Sequence, residues 1–268
     1  MRGILSRLLV LAVTGLASAK IIFQDDFEGD LSQWKSQGCP GGVVKSADVA
    51  RTGKFSAKLV VHDNDTNAVC PDSPTENPRA QLVSPPLFKD GDEYYIGFSV
   101  LFPSGFPKIS NWFMFFELYG PPYNGTPSMA LFVSKENKLT FGRDAAYNRD
   151  TIWTGAPIVP GQWRDIALRV KFSTDPEVGF VQIWDGGKQQ ELVGGNGTTV
   201  VYRTLNPEVN WNGSPNTVVL NQYRSKDTNY GPVTLYHDSV KVGTSLEEVA
   251  PNRGGGRGSC HAKHGRAH

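Results

Sequence analysis

Apolar and polar residues alternate along this chain in short runs, at the two-residue period of strands rather than the 3.6-residue period of helices. Tyr94-Tyr95-Ile96-Gly97-Phe98-Ser99-Val100, Trp163 to Phe172, Phe180-Val181-Gln182-Ile183-Trp184, Thr217 to Tyr223 and Val233-Thr234-Leu235-Tyr236 are rich in aromatic and β-branched residues, as strands are. The 29 glycines and 18 prolines are spread over the whole length, so turns separate the runs and no linker divides them. The pattern predicts an all-β protein: an antiparallel β-sandwich of jelly-roll type, one domain over residues 20–250. Residues 251–268, rich in Gly, His and basic side chains, cannot bury a core and are expected to be a disordered tail.

Alternation also sorts side chains by face. From Trp163 to Phe172, Ile166, Leu168, Val170 and Phe172 fall together, opposite Asp165, Ala167, Arg169 and Lys171. From Asn111 to Tyr119, strict alternation groups Trp112, Met114, Phe116 and Leu118, opposite Asn111, Phe113, Phe115, Glu117 and Tyr119. Arg79 and Gln81 share a face, as do Asn221 and Tyr223. A face carrying Arg, Gln, Glu, Lys and tyrosines is what a sugar-binding sheet displays; a sheet that only faces water displays it too.

The chain ends change the picture. Arg2 and Arg7 precede the apolar run Leu8 to Val13 and the small residues Ala17-Ser18-Ala19, the layout of a secretory signal peptide over residues 1–19. The run is shorter than the roughly 20 apolar residues of a membrane span, so a secreted, extracellular protein is expected, with no membrane partner. In that oxidising setting Cys39 and Cys70 are expected to pair, leaving Cys260 in the tail. Asn64, Asn124 and Asn196 open unobstructed glycosylation sequons, whereas the one at Asn212 is followed by Pro215. The 27 basic and 26 acidic residues nearly balance, yet Arg2, Arg7, Arg253, Arg257, Lys263 and Arg266 lie outside the globular part. Without those six, 21 basic face 26 acidic residues, a net charge near −5. That disfavours nucleic acid as a partner, and a polyanion would have to be held by a local basic groove.

Further stretches, spread from about residue 23 to 245, carry a resemblance. They are Phe23-Gln24-Asp25-Asp26-Phe27-Glu28-Gly29 with Trp34; Arg79-Ala80-Gln81-Leu82; Tyr94 to Ser99; Gly120-Pro121-Pro122; Trp153-Thr154-Gly155; Gly161-Gln162-Trp163-Arg164-Asp165-Ile166 running into Val170-Lys171-Phe172-Ser173; and Tyr236-His237-Asp238 with Val242-Gly243. In order and spacing the chain resembles the secreted polysaccharide lyases of the heparinase I and glucuronan lyase type, which are concanavalin A-like jelly rolls. The resemblance implies a monomeric lyase without an organic cofactor, cleaving a uronic-acid polysaccharide such as glucuronan by β-elimination.

β-Elimination requires a group that neutralises the C6 carboxylate, a base that takes the C5 proton and an acid that protonates the leaving oxygen. By position in the family pattern, Arg79 and Gln81 would hold the carboxylate and Tyr223 would carry the proton, with Arg224 close by and Asn221 assisting; Arg169 and Lys171 are added as substrate-binding candidates from the polar face that alternation gives. Tyrosine ordinarily titrates near 10, so Tyr223 needs an adjacent cation, from Arg79, Lys171 or Arg224.

The chain departs from the family at Glu117-Leu118-Tyr119, where many relatives place Gln and His before Gly-Pro-Pro. A glutamate facing an anionic sugar repels it unless protonated or paired with arginine. Either Tyr119 replaces the histidine as a catalytic group, or Glu117 marks another substrate or a hydrolytic reaction. Glycoside hydrolases use two carboxylates about 5 to 9.5 Å apart, and Glu117 has none two or four residues away on its strand. A hydrolase using Glu117 and a non-catalytic, lectin-like sugar-binding module are the alternatives. His62 is the other early histidine with a place near the cleft. Asp26 and Glu28 near the first strand and Asp238 near the last would supply oxygen ligands for a structural calcium ion if they met. In the tail, Cys260, His261, His264 and His268 match no standard zinc spacing. No Gly-x-Ser-x-Gly context supports Ser-His-Asp chemistry.

Overall fold

The structure, a computed structural model, describes residues 19–70, 75–120, 127–143, 150–205 and 215–251. The expected signal peptide up to residue 18, Asn124, Pro121-Pro122 and the tail with Cys260 lie outside the described residues. In chain order the strands are β1 (Ile21–Asp25), β2 (Lys35–Gly38), β3 (Val43–Ser46), β4 (Ser56–Val61), β5 (Arg79–Val83), β6 (Glu93–Leu101), β7 (Phe113–Tyr119), β8 (Met129–Val133), β9 (Lys138–Arg143), β10 (Asp150–Pro157), β11 (Trp163–Lys171), β12 (Phe180–Asp185), β13 (Lys188–Gln189), β14 (Val200–Val201), β15 (Thr217–Arg224) and β16 (Val233–Gly243). One helical turn, α1 (Leu246–Val249), follows.

The strands form two antiparallel sheets packed as a sandwich. The first runs β13-β12-β11-β6-β16-β4-β3, with β1 also on β16 and β14 on β12; the second runs β10-β9-β8-β7-β15-β5-β2. Their facing sides fill the core, as the alternation demands: Ile166, Leu168 and Val170 of β11 and Ile96, Phe98 and Val100 of β6 meet Leu82, Phe116, Leu118, Val218 and Leu220 from the second sheet. Phe98 stacks on Phe116 across the sheets with ring centres 4.4 Å apart, and Phe88 stacks on Phe172 at the same distance. Each such ring removes about 150–250 Å² from water. No helix among the described residues is long and apolar enough to cross a membrane.

Strict alternation fails in β7. The strand slips register against both β8 and β15 near Phe115, so that Phe113, Phe115 and Phe116 all face the core. Met114 instead packs with Ala130, Phe132 and Tyr223 on the outer face, where Glu117 and Tyr119 also lie. A β-bulge explains this, since one irregular residue inverts the inside-outside parity of everything beyond it.

Arg169 and Lys171 belong to β11, in the first sheet, on the side away from the core. Arg169 donates to Glu93 Oε1 from Nε and Nη2 at 2.9 and 2.6 Å, and Lys171 Nζ donates to the Gly91 carbonyl at 2.7 Å. They therefore do not join the polar face of β5, β7 and β15. On the same sheet, Asp238 Oδ2 accepts from the backbone N–H groups of Arg51 and Thr52 at 2.6 and 3.1 Å, while the Arg51 side chain pairs with Asp165. Asn64 and Asn196 are exposed.

Candidate active site

β5, β15 and β7 lie side by side in the second sheet, and register decides which side chains become neighbours. Tyr223 stands opposite Arg79, Asn221 opposite Gln81, and Val219 between Val83 and Glu117. Arg79 Nη1 donates to Gln81 Oε1 at 3.0 Å, and Gln81 Nε2 donates to Glu117 Oε1 at 3.1 Å. The Arg79 guanidinium lies 3.8 Å above the Tyr223 ring, which also meets Trp112 edge to face with ring centres 4.8 Å apart. Arg79 Nη2 donates to Thr75 Oγ1 at 2.8 Å, so the segment before β5 also fixes the arginine. That segment is tied down by the Cys39–Cys70 disulfide, whose Cα atoms are 5.2 Å apart, and by the Asn67 N–H bonded to the Thr75 carbonyl. On the far side of β5, Gln37 of β2 stands opposite Gln81 and extends the polar row.

Arg79, Gln81, Glu117 and Asn221 are buried although they face away from the core. Burial pushes the Glu117 carboxyl up to about 7, against the opposing pull of Arg79, Asn221 and Gln81. Burial likewise draws Arg79 below the ordinary arginine value, opposed by Tyr223 and Glu117. Asn221 Oδ1 and Nδ2 and Arg79 Nε make no well-formed hydrogen bond. The Asn221 amide stands near enough to Glu117 to favour its charged form, without the geometry of a good bond. Buried polar atoms without partners are costly, and on the outer face of the sheet these are within reach of a polar ligand or of water. The arrangement offers amide and guanidinium donors for an anion and a phenol beside a cation for proton transfer.

Other residues singled out in the sequence stand elsewhere. Arg224, next to Tyr223 in sequence, points to the opposite side of β15. It donates from Nη2 to the carbonyls of Val61 and Gly231, both at 3.1 Å, and pairs with Asp63 at 3.0 Å. It is a fully buried structural cation rather than a substrate ligand. His62 is exposed, with Asp65 Oδ2 accepting from its backbone N–H at 2.8 Å and 3.2 Å from its ring Nδ1, and it touches none of the row. Asp26, Glu28 and Asp238 do not fit a shared calcium ion. Glu28 Oε1 is taken by the N–H groups of Lys54 and Phe55, and Asp238 by Arg51 and Thr52. Among the described residues, the one group of three His, Cys, Asp or Glu with ligand atoms within 4.8 Å of one another is Cys39, Asp65 and Cys70, and its two sulfurs form the disulfide. Thr75, Gln37, Trp112 and Met114 complete the site without having been singled out. The first two carry no motif, and the last two were assigned to the core by the alternation that the bulge breaks.

A sandwich with a buried polar row on the outer face of one sheet places the protein among the jelly rolls, a class that includes lectins. Within that class, a family model described as Polysaccharide lyase matches residues 27–241. The chain belongs to that family: it is a polysaccharide lyase, and its substrate is a polysaccharide. The endo-beta-1,4-glucuronan lyase from the fungus Trichoderma reesei superposes with a TM-score of 0.66 at 16% identity, covering 87% of this chain and 100% of that one. A family 7 alginate lyase, A1-II′, solved with product, gives 0.55 at 14%, covering 83% and 99%. The catalytic domain of a glycoside hydrolase family 131 protein from Coprinopsis cinerea gives 0.53 at 12%, covering 80% and 83%. No curated protein sequence matches this one.

Proposed function

We propose that the outer face of the second sheet binds a uronan, glucuronan or a close relative, and cleaves it by β-elimination outside the cell as a monomer. The observation that carries this is the linked row Arg79–Gln81–Glu117 with Asn221, set against Tyr223. Gln81, Asn221 and Arg79 receive the C6 carboxylate, which lowers the barrier to losing the C5 proton. A tyrosine takes that proton, the electrons form the C4–C5 double bond, the C4–oxygen bond breaks and the departing oxygen is protonated. We assign this role to Tyr223, an assignment that the Arg79 guanidinium beside its ring supports, and Tyr119 is the second phenol on the same face.

The hydrolytic reading draws on Glu117, a buried acid with a raised pKa. Hydrolysis needs a second carboxylate about 5 to 9.5 Å away, and among the described residues the groups that act on Glu117 are an arginine and two amides. A panel of uronans assayed for ultraviolet-absorbing unsaturated ends tests the proposal. Wild type is expected to produce them, and Tyr223→Phe to lose about 10²- to 10⁴-fold in kcat. Full activity in Tyr223→Phe removes the proton-transfer assignment. Reducing ends without absorbance indicate hydrolysis, and binding without products a lectin.

A further inference from the structure

Glu117 is where the chain departs from the family pattern, and its surroundings specify the form in which it works. Its Oε1 accepts from Gln81 Nε2 at 3.1 Å, which leaves Oε2 for another partner. The groups facing it are few. From β5 come Gln81 and Arg79, the latter already engaged with Gln81, Thr75 and the Tyr223 ring. From β15 come Val219, directly opposite Glu117, and Asn221, which acts on its carboxyl, and Tyr119 lies two residues along on its own strand. β8 contributes Ala130, directly opposite Glu117, and β9 contributes Gly142 opposite Ala130. Behind the sheet, in the core, His237 is held neutral by burial. Arg79 is the one cation that acts on the carboxyl among the described residues.

An ionised Glu117 here would confront the uronate carboxylate with Arg79 as the one cation acting on it, and that guanidinium is already engaged with Gln81, Thr75 and the Tyr223 ring. A carboxylic acid instead presents a C=O to Gln81 and an O–H to the ligand, as the amide of a glutamine would present its N–H. On the β8 side Glu117 stands opposite the small Ala130, with the Phe132 ring lying over Gly142 beyond it. Resting on the uronan reading above, we propose that Glu117 works as a neutral acid: Oε1 accepts from Gln81, and Oε2–H donates to the C6 carboxylate of the sugar alongside the unpartnered Asn221 amide. Unlike glutamine, this donor is lost on deprotonation. Burial has moved its pKa to about 7, so the donor is present below that pH and disappears above it. A bound uronate, being a like charge, favours the protonated form further. A charge-assisted bond of this kind selects a uronate over a neutral sugar.

Two measurements test it. A carboxyl-carbon NMR titration of the intact wild-type protein is expected to give Glu117 a midpoint near 7; a midpoint below about 5, the ordinary range for glutamate, overturns the proposal. Rates of unsaturated-product formation from a polyuronate, taken from pH 5 to 9, compare wild type with Glu117→Gln. Above its midpoint the wild type is expected to lose kcat/KM about tenfold per pH unit, chiefly through KM. Glu117→Gln is expected to match the wild type's acid-side rate within a few-fold and to stay level across that range. Superimposed profiles overturn the inference while the lyase reading stands. So does a folded Glu117→Gln that is at least a hundredfold slower at every pH, which would make Glu117 a base or nucleophile. Wild type that releases no unsaturated ends from any uronan removes the lyase reading, and this inference with it. If Glu117→Gln fails to fold, the titration decides.

Discussion

Arg79 touches Gln81, Thr75 and the Tyr223 ring with a single planar group, two donors in its plane and one π-contact on its face. Lysine has the charge but neither the fork nor the flat face. Arg79→Lys is therefore expected to lower kcat/KM for a uronan by about 10- to 100-fold and to cost about 1–3 kcal/mol in the urea midpoint, since Gln81 and Thr75 lose a buried donor. Retention of full activity would reduce Arg79 to a structural cation. At this scale the sequence was legible where strands are regular. β5 and β15 keep one register throughout, so the pairing of Arg79 with Gln81 and of Asn221 with Tyr223 on one face followed from alternation. By the same rule Arg224 belongs opposite Tyr223, and adjacency in sequence was the misleading cue. Arg169 and Lys171 share a residue type with the site but not a sheet, and nothing local distinguishes the two sheets.

Among elements, β7 shows how one irregularity redirects a site. The bulge at Phe115 turns Met114 outward beneath Tyr223 and keeps Glu117 and Tyr119 on the same face, an arrangement that two-residue counting splits wrongly. β6 carries a second constraint at Gly97, where a Cβ would run into the Val249 carbonyl of α1. Gly97→Ala is expected to cost about 1–3 kcal/mol, read from the urea midpoint at constant slope; a neutral substitution would mean that α1 can move aside. The segment between β4 and β5 is the third case. Its disulfide closes a loop across a sequence separation of 31 residues, and Thr75 of the same segment accepts from Arg79. The double variant Cys39→Ser/Cys70→Ser is expected to lose about 3–4 kcal/mol of stability and to bind substrate more weakly, by calorimetry and KM. Unchanged KM in the folded variant would show that the segment positions itself.

For the whole molecule, buried titratable groups set opposing pH slopes. His237 of β16 is buried beside Phe98 and held near 3, so between about 3 and its ordinary 6.5 the unfolded chain binds a proton that the native state refuses. Stability from His237 is therefore full above 6.5 and lost as pH falls, at up to about 1.4 kcal/mol per pH unit. Glu117 and Asp238 are raised by burial, from 4.5 to about 7 and from 3.8 to about 6, so the native state keeps protons that the unfolded chain releases. Their contribution falls as pH rises through those windows. His237→Gln is expected to flatten the acid limb of a urea-stability profile, and an unchanged limb would exclude the assignment. Alternation, turn residues and apolar content by themselves determined the all-β sandwich, because a strand that buries one face must show it at every second residue. They also determined the pairing of like-facing side chains within regular strands. Which sheet a strand joins, where the bulge falls and how deeply Glu117 is buried were decided only in the tertiary structure, because each depends on partners far away in sequence. Those long-range contacts convert an ordinary glutamate into a candidate neutral donor at the centre of the site.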